Sequence, residues 1–364
     1  MKVLELKGKE GFRVFSKNGL KFYEGNPHYR GTEGSIEKLL LLGPTEFHNH
    51  ATVKFFVVED AHEVVARFAF IHDKKLPDYL QVSFFEAYPK LDGLWKVIKS
   101  EARKHFKGVP KVVVGLNGHL NYGAGFLINH FGENPLFGLP YSNNYYPEYF
   151  KDLERKVMVT FRFAMEEYIK WFNKYNIKRL VRGVKTRNMN KKNIKKEIEI
   201  YTALNNKCFK EHPYWADRTI AEDLELFYPF RHLLKDENLI FAEYNGEPIG
   251  FFLWYPDFNQ LVKGTRDLNV FDVLKYKSGV HINAFRFAEI GILPKYRRTS
   301  VNIALMQHCV NYIEKANIDY CECGFIFEEN VESIAMMKRF MNRFFKSEVE
   351  PYRRFAVFEG ELWN

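Results

Sequence analysis

Apolar positions recur along the chain with two periods, and the switches between them outline its elements. Residues 52–59 (TVKFFVVE) and 64–71 (VVARFAFI) are β-rich runs around Asp60-Ala61-His62-Glu63, which predicts a hairpin. Residues 79–85 read as a further strand. Over 91–106, Leu94, Trp95, Ile98, Ala102 and Phe106 fall on one helical stripe. A short buried strand at 111–115 precedes glycine-rich loops and a tyrosine-dense stretch over 141–149. Residues 11–23 read as a strand turning at Asn18-Gly19, and 27–42 as a helix stopped by Gly43-Pro44. Residues 158–175 become helical towards their end.

The second half has a similar outline. A strand at 179–185 and helices at 194–210 and 220–234 lead to a hairpin, 239–244 and 249–255, turning at Asn245-Gly246. After an irregular stretch at 258–279 come a strand (281–293), a helix (301–315), a strand (320–327), a helix (331–340) and two strands within 346–359. In the 301–315 helix, Val301, Leu305, Cys309 and Ile313 share a face. The order hairpin, strand, helix, strand occurs twice. EDAHEVVARFAF in the first half parallels YNGEPIGFFLWY in the second, and FFEAYPK parallels GILPKYR. A chain of 364 residues is long for one core, so two mixed α/β domains are expected, 1–175 and 176–364.

Composition sharpens this only locally. Apolar residues make up 46%, with 35 Phe and 21 Tyr, ample for buried cores. Cys208, Cys309, Cys321 and Cys323 fit neither a disulfide framework nor a zinc spacing. The charged residues 1–15 do not read as a signal peptide, and no run approaches the ~20 apolar residues of a membrane span. A cytoplasmic protein with no membrane partner is expected. The net charge of +9 equals the nine basic residues of 178–196, a stretch with no acidic residue. It reads as a solvated linker or as a groove for an acidic partner.

The 289–305 stretch carries the chemistry. An apolar strand ends at Pro294, a basic loop Lys295-Tyr296-Arg297-Arg298-Thr299-Ser300 follows, and a helix begins at Val301. Strand, basic loop and helix N-terminus together form a phosphate cradle, with free N–H groups and the positive dipole end facing the loop. Pro294-Lys295-Tyr296-Arg297 with Val301, Ala304 and Leu305 resembles the acyl-CoA loop of the GNAT N-acyltransferases, roughly V-x-P-E-Y-R-G-x-G-x-G-x-x-L. Ile292 stands at the valine and Leu305 at the leucine. The family's glycines fall on Arg298, Ser300 and Asn302, a departure that removes the easy backbone approach glycine allows. Element order extends the resemblance to nearly the whole chain, which looks like a bacterial tandem GNAT protein. Its first copy has no arginine loop, because Pro89-Lys90-Leu91-Asp92-Gly93 carries no arginine.

The resemblance implies an N-acyltransferase, in first place an acetyltransferase, moving an acyl group from acetyl-CoA or another acyl-CoA to an amine of a small molecule or amino acid. It implies cofactor contacts at Ile290, Ile292, Arg297, Arg298, Thr299, Ser300, Val301, Asn302 and Asn330. Glu289, flanked by Phe287, Ala288 and Ile290, is the expected base, its pKa lifted by an apolar setting. Its structural alternative is an ion pair with Arg286 or Arg182. Tyr352 is the expected acid, with Tyr296 as a second candidate. His212-Pro213-Tyr214-Trp215 lies where the family admits its acceptor. His48-Asn49-His50 offers only two imidazoles, so no metal is expected. The alternatives are a non-catalytic GNAT-fold protein that binds a ligand or partner and, more weakly, an aminoacyl-tRNA-dependent transferase holding tRNA on the basic stretch. Monomer and homodimer both remain open.

Overall fold

A computed structural model describes residues 1–32, 34–174, 183–344 and 349–363. The first half runs β1 (Lys2–Leu6), α1 (Gly8–Lys21), α2 (Gly34–Leu41), β2 (Ala51–Asp60), β3 (Glu63–Asp73), β4 (Tyr79–Ala87), α3 (Leu94–His105), β5 (Lys111–Val114), the short β6 (Phe126–Leu127), β7 (Glu154–Ala164) and α4 (Met165–Lys174). The second runs β8 (Val184–Asn188), α5 (Ile194–Phe209), α6 (Ile220–Phe227), β9 (Leu239–Tyr244), β10 (Glu247–Pro256), α7 (Val270–Lys277), β11 (Ala284–Ile292), α8 (Val301–Lys315), β12 (Tyr320–Phe327), α9 (Val331–Phe344) and β13 (Arg354–Glu361).

All strands join one sheet, in the order β1-β2-β3-β4-β5-β13-β7-β12-β11-β10-β9-β8, with β6 paired to β13. The alternation of side chains along the strands explains the layers. On β2, Phe56 faces α3 residues Leu94 and Ile98, while Phe55 faces Phe15 and Leu40 of α1 and α2. On β10, Phe252 packs with Leu305 and Cys309 of α8, and Phe251 and Leu253 with Ile198 and Tyr201 of α5. Each half therefore puts helices on both faces of its strands.

The two halves are interlocked at the middle. β13, from the end of the chain, pairs antiparallel with β5 and β7. β7, from the first half, pairs antiparallel with β12. Each half's row of strands is thus extended by a strand from the other. The division at 175/176 falls in 175–182, outside the described residues.

Both halves also share a local irregularity. β4 runs parallel to β5 only as far as Val82↔Val114, and β11 parallel to β12 only as far as Phe287↔Cys323. Beyond those points the parallel strands part. On the other side of β11, Leu253 pairs Glu289 while Trp254 pairs Phe287, so Ala288 is an extra residue, a bulge. On β4 the register with β3 slips between Arg67↔Glu86 and Ala69↔Ser83. Glu86 and Glu289 consequently occupy matching places just past a bulge.

Several expectations are corrected. Residues 11–21 are helix, not part of a strand with a turn at Asn18-Gly19. Asn18 Nδ2 donates to Val14 O within α1, and Gly19 is needed there because a Cβ would stand 2.1 Å from the Arg67 guanidinium. Residues 154–164 form the long strand β7; Met158 to Phe161 are buried on both faces, so no alternation marked it. Residues 258–279 contain α7, started by Asn269, whose side chain accepts from the N–H groups of Phe271 and Asp272. Among the described residues the chain ends on β13; of the pair of strands expected within 346–359, residues 346–348 lie outside the described residues. Residues 48–49 belong to a short 3-10 turn.

His50 ties the halves together electrostatically. Its Nδ1 lies 2.7 Å from Asp73 Oδ1 and its Nε2 2.8 Å from Glu222 Oε1 of α6, and Lys75 Nζ reaches Glu222 Oε2 at 2.8 Å. Burial alone would lower the imidazole pKa, but the two carboxylates outweigh it and lift it to about 9. A raised folded pKa stabilises fully below the unfolded value of about 6.5 and is lost as pH rises through about 9. Urea melts of His50→Gln should show a deficit on the order of 2 kcal/mol at pH 6 that vanishes by pH 10. A deficit independent of pH would assign His50 to packing alone.

Candidate active site

The gap between β11 and β12 opens into a cavity of about 330 Å³. Its floor is β11 from Arg286 to Ile290. One wall is Cys323–Phe327 with Asn330 and Ser333; the facing wall comes from α5, α6 and the Leu120–Gly123 turn of the first half. The bulge at Ala288 decides what the floor presents. Arg286 pairs Tyr255 and Glu289 pairs Leu253, two residues of one face, so both side chains point into the cavity. Without the extra residue they would alternate.

Glu289 is held by three donors. Asn121 Nδ2 donates to Oε1 at 2.8 Å, and Tyr201 OH and Asn205 Nδ2 donate to Oε2 at 3.0 and 2.5 Å. Tyr201 and Asn205 stand one turn apart on α5, hence on one face. Asn121 is fixed by His119, whose Nδ1 accepts the Asn121 N–H at 3.1 Å while its Nε2 donates to Ala216 O at 2.9 Å. Burial keeps that imidazole well below its ordinary pKa, hence neutral. Arg218 lies behind, its Nη2 reaching Asn205 Oδ1 at 3.1 Å. Its Nε is 3.1 Å from Asp223 Oδ1, an ion pair that lies off the hydrogen-bond direction. Desolvation raises the Glu289 carboxyl above its ordinary value against the pull of Arg218 and of the Tyr201 and Asn205 donors. A carboxylate has about four acceptor positions, so three donors leave one on Oε1 for a ligand. Glu289 does not pair Arg286, and Arg182 lies outside the described residues.

The basic loop sits where the floor strand ends. The N–H groups of Ser300, Val301, Asn302 and Ile303 meet no acceptor among the described residues, and Ser300 provides no side-chain cap. Arg298 adopts φ +65, the left-handed conformation glycine would take at little cost. The loop therefore keeps its shape without that glycine, at a cost of roughly 1–2 kcal/mol. The two arginines divide their work. Arg297 folds inward, Nη2 donating to Cys208 O at 2.7 Å at the end of α5 and Nε to Ile292 O at 3.3 Å. The Arg298 side chain is 89% exposed, with Glu332 at the 4.0 Å limit of an ion pair.

The other expected residues fall on both sides of the cavity boundary. Ile290 and Asn330 line it, and Asn330 also starts α9 by accepting the Ser333 N–H at 3.0 Å. Ile292 packs on the core beneath the loop, and the Val301 side chain is buried there, leaving only its N–H for a ligand. Thr299 Oγ1 donates to Tyr296 O at 2.6 Å. His212 and Trp215 line the cavity, whereas Tyr214 donates to Glu359 at 2.5 Å. Tyr352 does not line it. Its hydroxyl donates to Glu133, beneath the Arg162 guanidinium 4.0 Å from its ring. Tyr296 stacks near Tyr244, 5.9 Å between centroids, outside the cavity as well. Ser333 of α9 also lines the cavity. Sequence reasoning missed Asn121, Tyr201, Asn205 and Arg286; only the i, i+4 spacing of Tyr201 and Asn205 could have hinted at a shared role.

The matching gap of the first half is built differently. Phe85 packs edge-on against Phe150 and Tyr146, 4.9 and 5.4 Å between centroids, Phe126 stacks on Phe150, and the Tyr146 hydroxyl donates to Glu86 at 2.5 Å, beside a cavity of about 260 Å³ that Phe84, Phe85, Glu86, Gly115 and Phe126 help to line. No basic loop precedes α3. Of the basic stretch at 178–196, residues 178–182 lie outside the described residues. Arg187 is neutralised by Glu197 and Glu243 at 2.8 and 2.6 Å. Among the described residues no group of three His, Cys, Asp or Glu could hold a metal ion, and no helix is long and apolar enough to cross a membrane.

Comparison with known proteins places this geometry. Residues 198–342 match the model of the Acetyltransferase (GNAT) family. No curated protein matches the sequence. Among solved structures, the fold is similar to a tandem GNAT protein from the clavulanic acid biosynthesis pathway (12% identity, 100% of this chain and 99% of that one, TM-score 0.58). It is also similar to a GCN5-related glucosamine N-acetyltransferase region of a fungal multi-domain β-N-acetylglucosaminidase (11% identity, 99% and 38% covered, TM-score 0.56). A GCN5-related N-acetyltransferase from Anabaena variabilis is similar at 9% identity, 99% and 73% covered, TM-score 0.51.

Proposed function

We propose that the chain is an acyl-CoA-dependent N-acyltransferase, with 176–364 carrying the reaction and 1–175 completing its cavity; the match of residues 198–342 to the GNAT family model and the likeness of the fold to a tandem GNAT protein support this reading. The observation that carries this reading is the meeting of three features on β11: a parted strand edge, an uncapped helix N-terminus, and a fixed carboxylate between them. The N–H groups of 300–303 and the Arg298 side chain suit the phosphates of an acyl-CoA. The β12-facing edge of Glu289–Ile292 suits the amide-bearing arm, which would complete the ladder that β12 leaves open. The bound thioester supplies an activated acyl group. Glu289 Oε1 takes the proton of the incoming amine, while Tyr201, Asn205 and Asn121 hold the carboxylate in place. The thiolate takes the second proton of the amine, with Ser333, which lines the β12 side of the cavity, as the candidate relay in place of Tyr352.

Thermal shift with acetyl-CoA, longer acyl-CoAs and free CoA tests the reading. A ligand at 100 times its Kd should stabilise the protein by about 2.7 kcal/mol. Arg298→Ala should raise Kd roughly 3–10-fold and flatten its salt dependence, since one exposed charge contributes about 1 kcal/mol. Arg297→Ala should instead lower the melting temperature, because Arg297 closes the end of α5. If no CoA species shifts the wild type at millimolar concentration, the reading fails in favour of a non-catalytic binding protein.

A further inference from the structure

Arg286 is buried to 9% relative exposure and lines the cavity, yet no carboxylate among the described residues pairs with it. Its Nη1 donates to Gly138 O and, at 3.3 Å, to Tyr255 OH. The other edge is poorly served: among the described residues Nη2 has only Gly324 O at 3.5 Å, and Nε is buried without an acceptor. Nε with Nη2 is one of the paired-donor edges that grip a carboxylate with two parallel bonds. A guanidinium in an apolar cavity without a counter-charge costs several kcal/mol, which a bound anion would offset.

We propose that Arg286 holds the carboxylate of the acceptor, so that the acceptor is an amino acid with an apolar side chain. This rests on the N-acyltransferase reading and names its substrate class. Arg286 and Glu289 share one face two ladder steps apart, roughly 7 Å along the strand. Their opposite charges match the two ends of a zwitterion: the ammonium goes to the free position on Glu289 Oε1 and the carboxylate to Arg286. Phe137, Phe230, Leu253 and Phe258 of the remaining walls are apolar and suit a hydrocarbon or aromatic side chain. The ammonium gives one proton to Glu289, the neutral nitrogen forms the C–N bond as the thioester C–S bond breaks, and the second nitrogen proton passes to the departing thiolate. The carboxylate undergoes no change.

The test compares L-leucine and L-phenylalanine with their amides, which keep size but lose the charge. With acetyl-CoA, wild type should show kcat/KM at least tenfold higher for the acids. Arg286→Gln, which keeps a donor for Gly138 O, and Arg286→Met should each lower kcat/KM for the acids about 10²-fold and for the amides far less. The different amine pKa of acid and amide cancels in this wild-type-to-variant ratio. An equal fall for both classes, or a wild-type preference for the amides, overturns the proposal and leaves Arg286 a brace for the 137–139 loop. Calorimetric titration with L-phenylalanine, without any acyl donor, separates the two readings. Binding that Arg286→Gln abolishes, with no turnover on any acyl-CoA, sustains this inference and defeats the enzyme reading. Turnover of simple amines with no binding of L-phenylalanine or L-leucine defeats this inference alone. Absence of both turnover and binding overturns both.

Discussion

Glu289→Gln should lower kcat by ~10²–10⁴, the usual scale for loss of a general base. The KM for acyl-CoA should hardly change, because under this proposal the side chain would face the acceptor and the phosphates would lie beyond Ile292. Wild-type rate should fall on the acid side as Glu289 takes up a proton, with a midpoint above the ordinary carboxylate value, since burial raises this group. The variant should have lost that limb. Glutamine fits the space, but its NH₂ would confront one of the three donors now aimed at the carboxylate. A melting curve therefore accompanies the kinetics. Full activity in the variant, on an acceptor the wild type uses, would make Glu289 a structural acceptor for Asn121, Tyr201 and Asn205.

The second large effect is expected one layer behind. Arg218 is 4% exposed and Asp223 wholly buried. Burial lifts the Asp223 carboxyl above its ordinary value even with Arg218 and the Thr202 hydroxyl beside it. Arg218→Met would leave that carboxyl without a counter-charge, and losing one partner of a buried pair costs about 3–5 kcal/mol. Asn205 and Tyr201 would lose their contact with the guanidinium, so kcat should fall as well. Arg218→Met with Asp223→Asn removes both charges and should recover part of the stability without recovering kcat. If the single variant melts like wild type, the pair contributes nothing net, and the positioning of Glu289 does not depend on it.

The sequence made the floor strand, the basic loop and α8 legible because local signals coincided there. Pro294 ends the apolar run, and Val301, Leu305, Cys309 and Ile313 repeat at helical spacing. Residues 301–315 and 320–327 accordingly match α8 and β12 to the residue. Glu289 stood out as a charge within an apolar strand. What was not legible depends on distant chain. Asn121 reaches Glu289 across 168 residues of sequence. The face shared by Arg286 and Glu289 depends on a bulge, and their spacing of three reads as opposite faces in a regular strand. Tyr352 looked plausible from its place late in the chain, but its hydroxyl is committed to Glu133. α1 was hidden by Asn18-Gly19, whose turn-like pair serves close packing against Arg67. The exchange of β7 and β13 between the halves leaves no mark on local pattern at all.

Amide hydrogen exchange with and without acetyl-CoA tests the central claim most directly. Among the described residues, the N–H groups of 300–303 and the β12-facing amides of 288–292 have no strand or cap partner to slow their exchange. Saturating acetyl-CoA should slow exchange in the peptides covering 288–292 and 298–304, and leave those covering 84–93 of the first half unchanged. Protection confined to 84–93, or no protection anywhere under conditions where turnover is measured, would contradict the placement of the acyl donor between β11 and β12.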